Sequence, residues 1–371
     1  MVRDEPGAFG ADLYQVLAED AGDTVFSPFS VATALRMAWY GARGRTAAEL
    51  AAALHLTDGH LEDGPERSDA GAAPPSRGSA VFRAPNTAWV QAGFAIRPEY
   101  AGQLSRLAGA MVADADFAAD PEQARAAINQ VIAGQTEGKI TELLRAGQVD
   151  RLTRLVLASA VYLKAAWTDP FPADATGDAP FYPQGPDRPG VPVATMRGTA
   201  IRDYLRGDGY QAVLLPYRDI GLAMAVVLPD GPLSELRPKV AAAGLAGLLA
   251  GAARHRVELA LPRFRLEARF DLIPALRRLG VVRAFGPEAD FGGITAAGPL
   301  WIGAVAHQAY IDVDEHGTEA AAATAMALAG HAMLQAPPVT VVVDRPFLFA
   351  ILDRATGLPV FMGHVSQPRS S

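Results

Sequence analysis

The segment QTEGKIT at residues 135–141, preceded by Gly134, comes near to a motif that performs chemistry. Glycines followed by a lysine are typical of loops that hold a phosphate against backbone N–H groups. Here the glycine spacing is one residue short, and Ile140 stands where the magnesium-binding serine or threonine is required. The segment therefore does not predict nucleotide binding.

Metal binding and hydrolysis find little support in the spacing of the other reactive residue types. No histidine pair has HExxH spacing, and no G-x-S-x-G elbow is present, although a Ser/His/Asp triad assembled from distant positions stays open. Asp312 and Asp314 share one face of a predicted strand. Such a pair more often lies on a solvated face or makes a structural hydrogen bond than performs acid–base catalysis. We expect no metal and no cofactor. The seven histidines stand at positions 55, 60, 255, 307, 316, 331 and 364.

The composition restricts the partners and the chemistry. Among 371 residues, 50% are hydrophobic and 20% charged, and the net charge is −7. A negative chain without clustered cations is not expected to bind nucleic acid or an anionic membrane surface. Because cysteine is absent, disulfides and thiol catalysis are excluded. Lysine occurs only at positions 139, 164 and 239 and asparagine only at 86 and 129, which marks these five residues for inspection.

The sequence contains no apolar run of the roughly 18 residues that a membrane span requires, and its first residues lack a signal-peptide core. We therefore expect no membrane partner. The localisation stays unknown: the chain is cytoplasmic as written, and extracellular if a leader was removed.

The hydrophobic pattern predicts helices followed by strands. Residues 57–78 break all periodicity with four glycines and three prolines and are expected to form an irregular loop. Residues 79–91 and the continuous apolar run 154–167 read as strands, the second of the doubly covered central kind, and short strands alternate with turns after residue 190. This mixture favours an α+β fold with mainly antiparallel sheets. Helices are predicted at residues 9–21, 29–40, 46–54, 98–107, 121–136, 233–249 and 271–279.

An alanine-rich segment, DEHGTEAAAATAMALAGHAML at residues 314–334, lies between two strand-like stretches. Its local propensity favours a helix, with Thr318 as the N-cap and Gly330 near the end. Strand periodicity gives a different interpretation, in which Thr318, Ala320, Ala322, Thr324, Met326 and Leu328 share one uncharged face. Glu319 and five alanines then share the other face.

Six segments, taken in order, cover much of the chain: FSPFSVATALRMAWYGARGRTAAEL (26–50), INQVIAGQTEGKITELL (128–144), LVLASAVYLKAAWTDPF (155–171), LPRFRLEARFDLIPALRRLGV (261–281), AVAHQAYIDVDEHGTEAAAATA (304–325) and DRPFLFAILDRATGLPVFMGHV (344–365). In this order they resemble the serpin family over nearly the whole chain, and Asn129, Lys139 and Lys164 fall on matched positions. The sequence resembles a prokaryotic member of the inhibitory type.

The resemblance implies a serpin fold in a single domain over residues 1–371, with three β-sheets, about eight or nine helices and an exposed reactive-centre loop at about 315–338. It further implies a metastable inhibitor, rather than an enzyme, that is consumed as a suicide substrate. A serine protease cleaves the loop and is trapped as a covalent acyl-enzyme while the loop inserts into the main sheet as a new strand. The implied partner is a serine protease, and we expect a monomer.

The hinge that leads this insertion must be small, flexible and free of buried charge. Glu315 is its first residue, and counting about sixteen residues onward, as in inhibitory members, gives His331–Ala332 as the reactive bond, with Met333 or Leu334 if the count slips by up to three. The last two would favour a chymotrypsin-like or elastase-like target. The hinge residues are Glu315, Gly317, Thr318, Glu319, Ala320, Ala321, Ala322 and Ala323.

The resemblance also assigns residues that control the opening of the main sheet. Ser27, Ser30 and His307 fall on the positions of the polar shutter, and Trp167 on the breach, where the loop first inserts. Ser159 departs from the usual asparagine and shortens the hydrogen-bonding reach. Residues 57–78 replace the helix that binds heparin in some vertebrate members, and their charges are mixed and mostly acidic, so glycosaminoglycan activation is not expected.

Two other functions stay open. A non-inhibitory serpin that acts as a carrier, chaperone or storage protein usually has bulky or charged hinge residues, which the alanine run does not match. An inhibitor of cysteine proteases would use the same loop mechanism against a different nucleophile.

Overall fold

The computed structural model describes residues 5–19, 22–56, 80–105, 107, 109–319 and 337–369. Within these residues the chain forms seven α-helices: α1 Glu5–Leu17, α2 Pro28–Gly41, α3 Gly44–Ala53, α4 Pro98–Leu104, α5 Pro121–Gln135, α6 Leu236–Leu249 and α7 Ile273–Arg278. None of these helices is both long and apolar enough to cross a membrane.

Sixteen strands lie in the same described residues. They are β1 Thr24–Phe26, β2 Val81–Arg83, β3 Asn86–Gln91, β4 Ala110–Ala115, β5 Leu155–Ala166, β6 Gly177–Phe181, β7 Val191–Gly207, β8 Tyr210–Pro216, β9 Leu222–Pro229, β10 Ala253–Pro262, β11 Phe264–Asp271, β12 Ile302–Val313, β13 Gly317–Thr318, β14 Val339–Val342, β15 Phe347–Asp353 and β16 Pro359–Val365.

The strands form two hydrogen-bonded sheets. One has nine strands in the order β1-β16-β15-β9-β8-β7-β10-β14, with β6 also paired to β7. The 17-residue strand β7 joins two groups of strands in this sheet. It pairs first with β6, then with β10, and at its end with β8. The other sheet has seven strands in the order β11-β12-β13-β5-β3-β4, with β2 also paired to β5. Most pairs are antiparallel, as the sequence predicted.

Strand β5 is buried on both faces, which explains its continuous apolar sequence. Val156 and Ala158 pack in a core cluster with Ile128 and Ile132 of α5, which covers one face of the seven-stranded sheet. Leu157, which alternates with them, faces the core cluster that contains α1 and α2. The pairing β5–β12 is parallel, and β5–β3 is antiparallel.

Helix α2 begins as its sequence predicts. Ser27 is the N-cap, and its hydroxyl accepts a hydrogen bond from the Ser30 N–H at 3.0 Å, while Pro28 occupies the first turn, where no intrahelical N–H is needed. Other predicted boundaries differ from the structure. The predicted strand 79–91 is two strands separated at residues 84–85, and the predicted helix 233–249 begins as a 3-10 helix at Leu233–Glu235. The predicted irregular loop 57–78 lies outside the described residues.

Candidate functional site: the hinge and the opening point of the seven-stranded sheet

Two of the hinge residues already lie in the sheet. Gly317 and Thr318 form strand β13, in which Gly317 pairs with Ala166 and Thr318 with Ala165 of β5. On the other side Thr318 pairs with Val313 of β12. The prediction that Thr318 caps a helix is therefore wrong, because packing between two strands overrides the local helix propensity of the alanine-rich segment.

The chain reverses between β12 and β13 in a tight turn. The Asp314 carboxylate accepts hydrogen bonds from the backbone N–H groups of His316 at 2.8 Å and Gly317 at 3.1 Å, a structural role rather than a catalytic one. A Cβ atom on Gly317 would lie 2.1 Å from the Ala165 carbonyl oxygen. Only glycine therefore allows this close approach to β5.

Thr318 is fully buried above a pair of aromatic rings. Its hydroxyl lies 2.6 Å from the Tyr217 hydroxyl, and the Tyr217 ring stacks on Trp167 with centroids 4.5 Å apart. The indole N–H of Trp167 donates to the Asp314 carbonyl at 2.9 Å. Thr318 thus contacts Tyr217, which stacks on Trp167, and Trp167 hydrogen-bonds to the turn between β12 and β13.

Glu315 anchors the turn to the neighbouring strand. It is 3% exposed, and one carboxylate oxygen accepts from Arg263 Nε at 2.9 Å and Nη2 at 2.6 Å, and also from the Thr176 hydroxyl. Burial raises the pKa of Glu315, but the hydrogen bonds from Arg263 and Thr176 outweigh that effect, so the pKa lies below its ordinary value. The charged form of Glu315 is therefore the one that stabilises the fold.

A second polar group lies deeper in the sheet around His307, which is fully buried. Its Nε2 accepts from the Ser27 backbone N–H at 2.9 Å, and its Nδ1 lies 3.0 Å from the Ser159 hydroxyl. Since Nε2 must be an acceptor, the ring is neutral with its proton on Nδ1, and Nδ1 donates to Ser159. The serine is therefore long enough to span to His307, despite replacing the usual asparagine.

Asn86 belongs to the same group, although the sequence reasoning gave it no role. It pairs directly with Ser159 across β3 and β5, and its side-chain amide donates to the Ala84 carbonyl at 2.9 Å. Its rarity was the signal in the sequence, because asparagine is one of the two rarest polar residue types in the chain. Ser30 is buried and held at its backbone N–H by Ser27. Helix α2 thus connects to β12 through His307, and His307 connects to β5 through Ser159.

Burial lowers the pKa of His307 to about 3. Because the unfolded chain binds a proton near pH 6.5 and the folded chain does not, the stabilisation from the neutral ring is complete above pH 6.5 and falls as the pH drops toward 3. We expect His307 alone to lower the free energy of unfolding by about 1.4 kcal/mol for each pH unit below 6.

Urea denaturation of the wild type and of His307→Gln between pH 7 and pH 4 measures this contribution, because the difference between the two curves removes the effect of all other acids. The wild type should lose stability more steeply than the variant. Parallel curves for the two proteins would contradict the assignment of a neutral, buried His307.

The structure brings together most of the residues that the sequence singled out. Ser27, Ser30, Ser159 and His307 form one group, and Trp167 adjoins the described hinge residues Glu315, Gly317, Thr318 and Glu319. Ala320, Ala321, Ala322, Ala323, His331, Ala332, Met333 and Leu334 lie outside the described residues.

Two contacts of the turn and of β13 were missed, those of Tyr217 with Thr318 and of Arg263 with Glu315. Their partners are separated by 101 and 52 residues, and although Arg263 lies in the serpin-like segment 261–281, neither residue was assigned to the hinge. Only the folded topology brings them to the hinge.

Comparison with known proteins agrees with this architecture. The family described as "Serpin (serine protease inhibitor)" matches residues 4–368. An uncharacterized serpin-like protein of Thermococcus kodakarensis is 36% identical over 98% of this chain and 84% of its own length. The leukocyte elastase inhibitor of Sus scrofa is 36% identical over 97% of both chains. The crystal structure of Serpin48 from the insect Tenebrio molitor has a TM-score of 0.86 at 28% identity, covering 98% of this chain and 97% of that one.

The chain belongs to the serpin family and has the α+β serpin fold. Serpins are protease inhibitors rather than catalysts, and the family together with the inhibitors among its relatives supports protease inhibition in general as the function. Proteases are the class of partner that follows from this membership.

Proposed function

We propose that this protein inhibits serine proteases by suicide trapping, as a single serpin domain over residues 1–371 that acts as a monomer. The protease serine would attack the reactive bond, release the amine of the following residue and stay attached as an ester. The cleaved loop would then insert between β5 and β12. The observation that carries this proposal is that β13 already lies between these two strands.

The register of β13 supports insertion of the residues that follow it. Continued without a shift, Ala320 would pair with Leu163 and Ile311, Ala322 with Val161 and Ala309, and Met326 with Leu157 and Val305, by extension of the observed pairs. All six of these neighbours are buried. The uncharged face of the loop would therefore meet apolar strand positions throughout, with one polar exception.

That exception is Thr324. In the same register it would lie between Ser159 and His307, which now hydrogen-bond to each other across β5 and β12. Insertion would separate these two side chains, and the Thr324 hydroxyl could then donate to one and accept from the other. The polar residue on the inserting face thus coincides with the polar pair in the strands that receive it.

The opposite face of the loop also fits. Ala321 would lie between Tyr162 and Tyr310, which are direct partners in the present sheet. A methyl side chain leaves room for both rings, whereas a larger one would compete with them. The alanine run therefore matches the neighbours that each position would acquire, which a non-inhibitory carrier or storage protein would not require.

The reactive bond is proposed at His331–Ala332, with Met333 and Leu334 as alternatives. A histidine at this place suits a protease that accepts a partly charged residue, and Met333 or Leu334 suits a chymotrypsin-like or elastase-like enzyme. Relatives named leukocyte elastase inhibitor favour testing the second group with equal care.

Incubation with trypsin-, chymotrypsin-, elastase- and subtilisin-like serine proteases, and with a papain-like cysteine protease, tests the proposal. We expect a covalent complex that survives denaturing gel electrophoresis with at least one serine protease, and mass spectrometry of the released peptide should locate the reactive bond. Cleavage of the loop by every enzyme without any such complex would contradict suicide trapping. A complex with the cysteine protease alone would transfer the mechanism to that class.

A further inference from the structure

Lys139 contacts the hinge from the turn that follows α5. Its ammonium group forms an ion pair with the Glu319 carboxylate and lies 5.7 Å from the centroid of the Tyr310 ring. The side chains of Lys139 and Glu319 are 40% and 13% exposed. The helix that covers the sheet is thereby connected to the first hinge residue beyond β13.

The two tyrosines mark the place where the sheet would have to open. Tyr310 of β12 and Tyr162 of β5 are the last direct partners in the pairing of these two strands, at the end nearest to β13. Burial, followed by a hydrogen bond to Glu319 and the negative charge of Glu319, raises the pKa of Tyr162 well above its ordinary value. The Glu319 carboxylate therefore lies near Tyr162 while it forms its ion pair with Lys139.

Glu319 is held in a backbone conformation that disfavours any residue except glycine, with φ 49°. Its backbone N–H already donates to the Asp312 carbonyl at 3.0 Å, as a continuing strand would require. The side-chain contacts thus act on a residue whose backbone departs from the strand conformation of β13. Extension of β13 by one residue would return Glu319 to an unstrained strand conformation and break its present contact geometry.

We propose that Lys139, Glu319, Tyr162 and Tyr310 form a hinge clamp, in which Lys139 is a positioning residue that slows the opening of the sheet between β5 and β12. This inference rests on the proposed function, since opening of the sheet matters only if a strand inserts. Lys139 joins the α5 turn to the hinge through Glu319 and to β12 through Tyr310. Loss of its charge frees the hinge and loosens the contact with Tyr310.

The clamp should also respond to ionic strength. Because the Lys139 side chain is partly exposed, added salt shields its charge and weakens its attraction to Glu319. Salt should therefore accelerate opening of the wild-type sheet and have a smaller effect on a protein that lacks the lysine. A purely steric role of the side chain would not give this dependence.

Uptake of a synthetic peptide with the sequence of residues 320–331, AAAATAMALAGH, measures sheet opening without a protease. Native gel electrophoresis and mass spectrometry follow its stable incorporation into intact wild type, Lys139→Met, Glu319→Gln and the double variant. We expect Lys139→Met to take up the peptide about three to ten times faster than wild type, the range of a partly exposed ion pair with a cation–π contact. The double variant should show less than the product of the single effects.

Lys239→Met is the matched control, because Lys239 forms its exposed ion pair with Asp208, in the turn between β7 and β8, and not with the hinge. Its uptake rate should equal that of wild type. An unchanged rate and salt dependence in Lys139→Met, or fully multiplicative single effects, would overturn the clamp while leaving the proposed function intact. A wild type that takes up no peptide at any temperature below unfolding would overturn both.

Discussion

Replacement of Thr318 with arginine is expected to convert the protein from an inhibitor into a substrate of the same protease. Thr318 has no exposed surface, and its hydroxyl is paired with Tyr217 at 2.6 Å. A guanidinium group at this place would have to be buried against Tyr217 and Trp167 without a counter-ion, at a cost of several kcal/mol. Insertion would then be slower than hydrolysis of the acyl-enzyme.

The stoichiometry of inhibition, measured by titrating the protease with each variant, should rise by about tenfold or more in Thr318→Arg. The rate of loop cleavage should stay close to that of wild type, because the reactive bond is distant in sequence from the substitution. Thr318→Ser keeps the hydroxyl and serves as the control. Equal stoichiometry in the arginine variant and the wild type would refute insertion that continues from a buried Thr318.

Glu315→Lys is expected to be the most destabilising single substitution at the hinge. Glu315 accepts two hydrogen bonds from Arg263 while almost fully buried, so lysine there would place two cations in contact and leave both without a partner. Loss of one partner of a buried ion pair typically costs about 3–5 kcal/mol, and here repulsion is added. Equilibrium denaturation of the uncleaved protein should show a decrease of this size in the free energy of unfolding.

A charge-reversal pair separates this effect from general damage to the turn. Glu315→Lys combined with Arg263→Glu restores opposite charges at the same two positions and should recover part of the lost stability. If the double variant were as unstable as the sum of the single variants, the ion pair would not be the cause. Glu315→Gln, which keeps the size of the side chain, should lose less stability than Glu315→Lys.

Local sequence patterns predicted those helices and strands whose environment is the same along their length. Strand β5 was predicted from its continuous apolar run because it is covered on both faces, and Ser27 with Pro28 fixed the start of α2. The irregular course of residues 233–249, where Gly244 has φ 67°, was not predicted, because a glycine inside a helical pattern often leaves the helix unbroken. A backbone turn of this kind depends on tertiary contacts and leaves no periodic signal.

The candidate site was predictable where the family pattern places a residue directly on it. Ser27, Ser159, His307, Trp167 and Thr318 were identified in this way. Tyr217 and Arg263 were not, because each contacts the hinge only after the nine-stranded and seven-stranded sheets pack together. The ion pair of Lys139 with Glu319 spans 180 residues and was likewise invisible in sequence, although the rarity of lysine marked one partner.

Thermal unfolding of the intact protein and of the protein cleaved in its loop tests strand insertion most directly. Insertion of the cleaved loop would add a central strand with about a dozen backbone hydrogen bonds, each contributing about 1 kcal/mol, and would bury Met326 and Leu328. We expect Tm to rise by at least about 15 °C after cleavage. An unchanged or lower Tm in the cleaved protein, with both loop fragments still bound, would contradict insertion as the basis of inhibition.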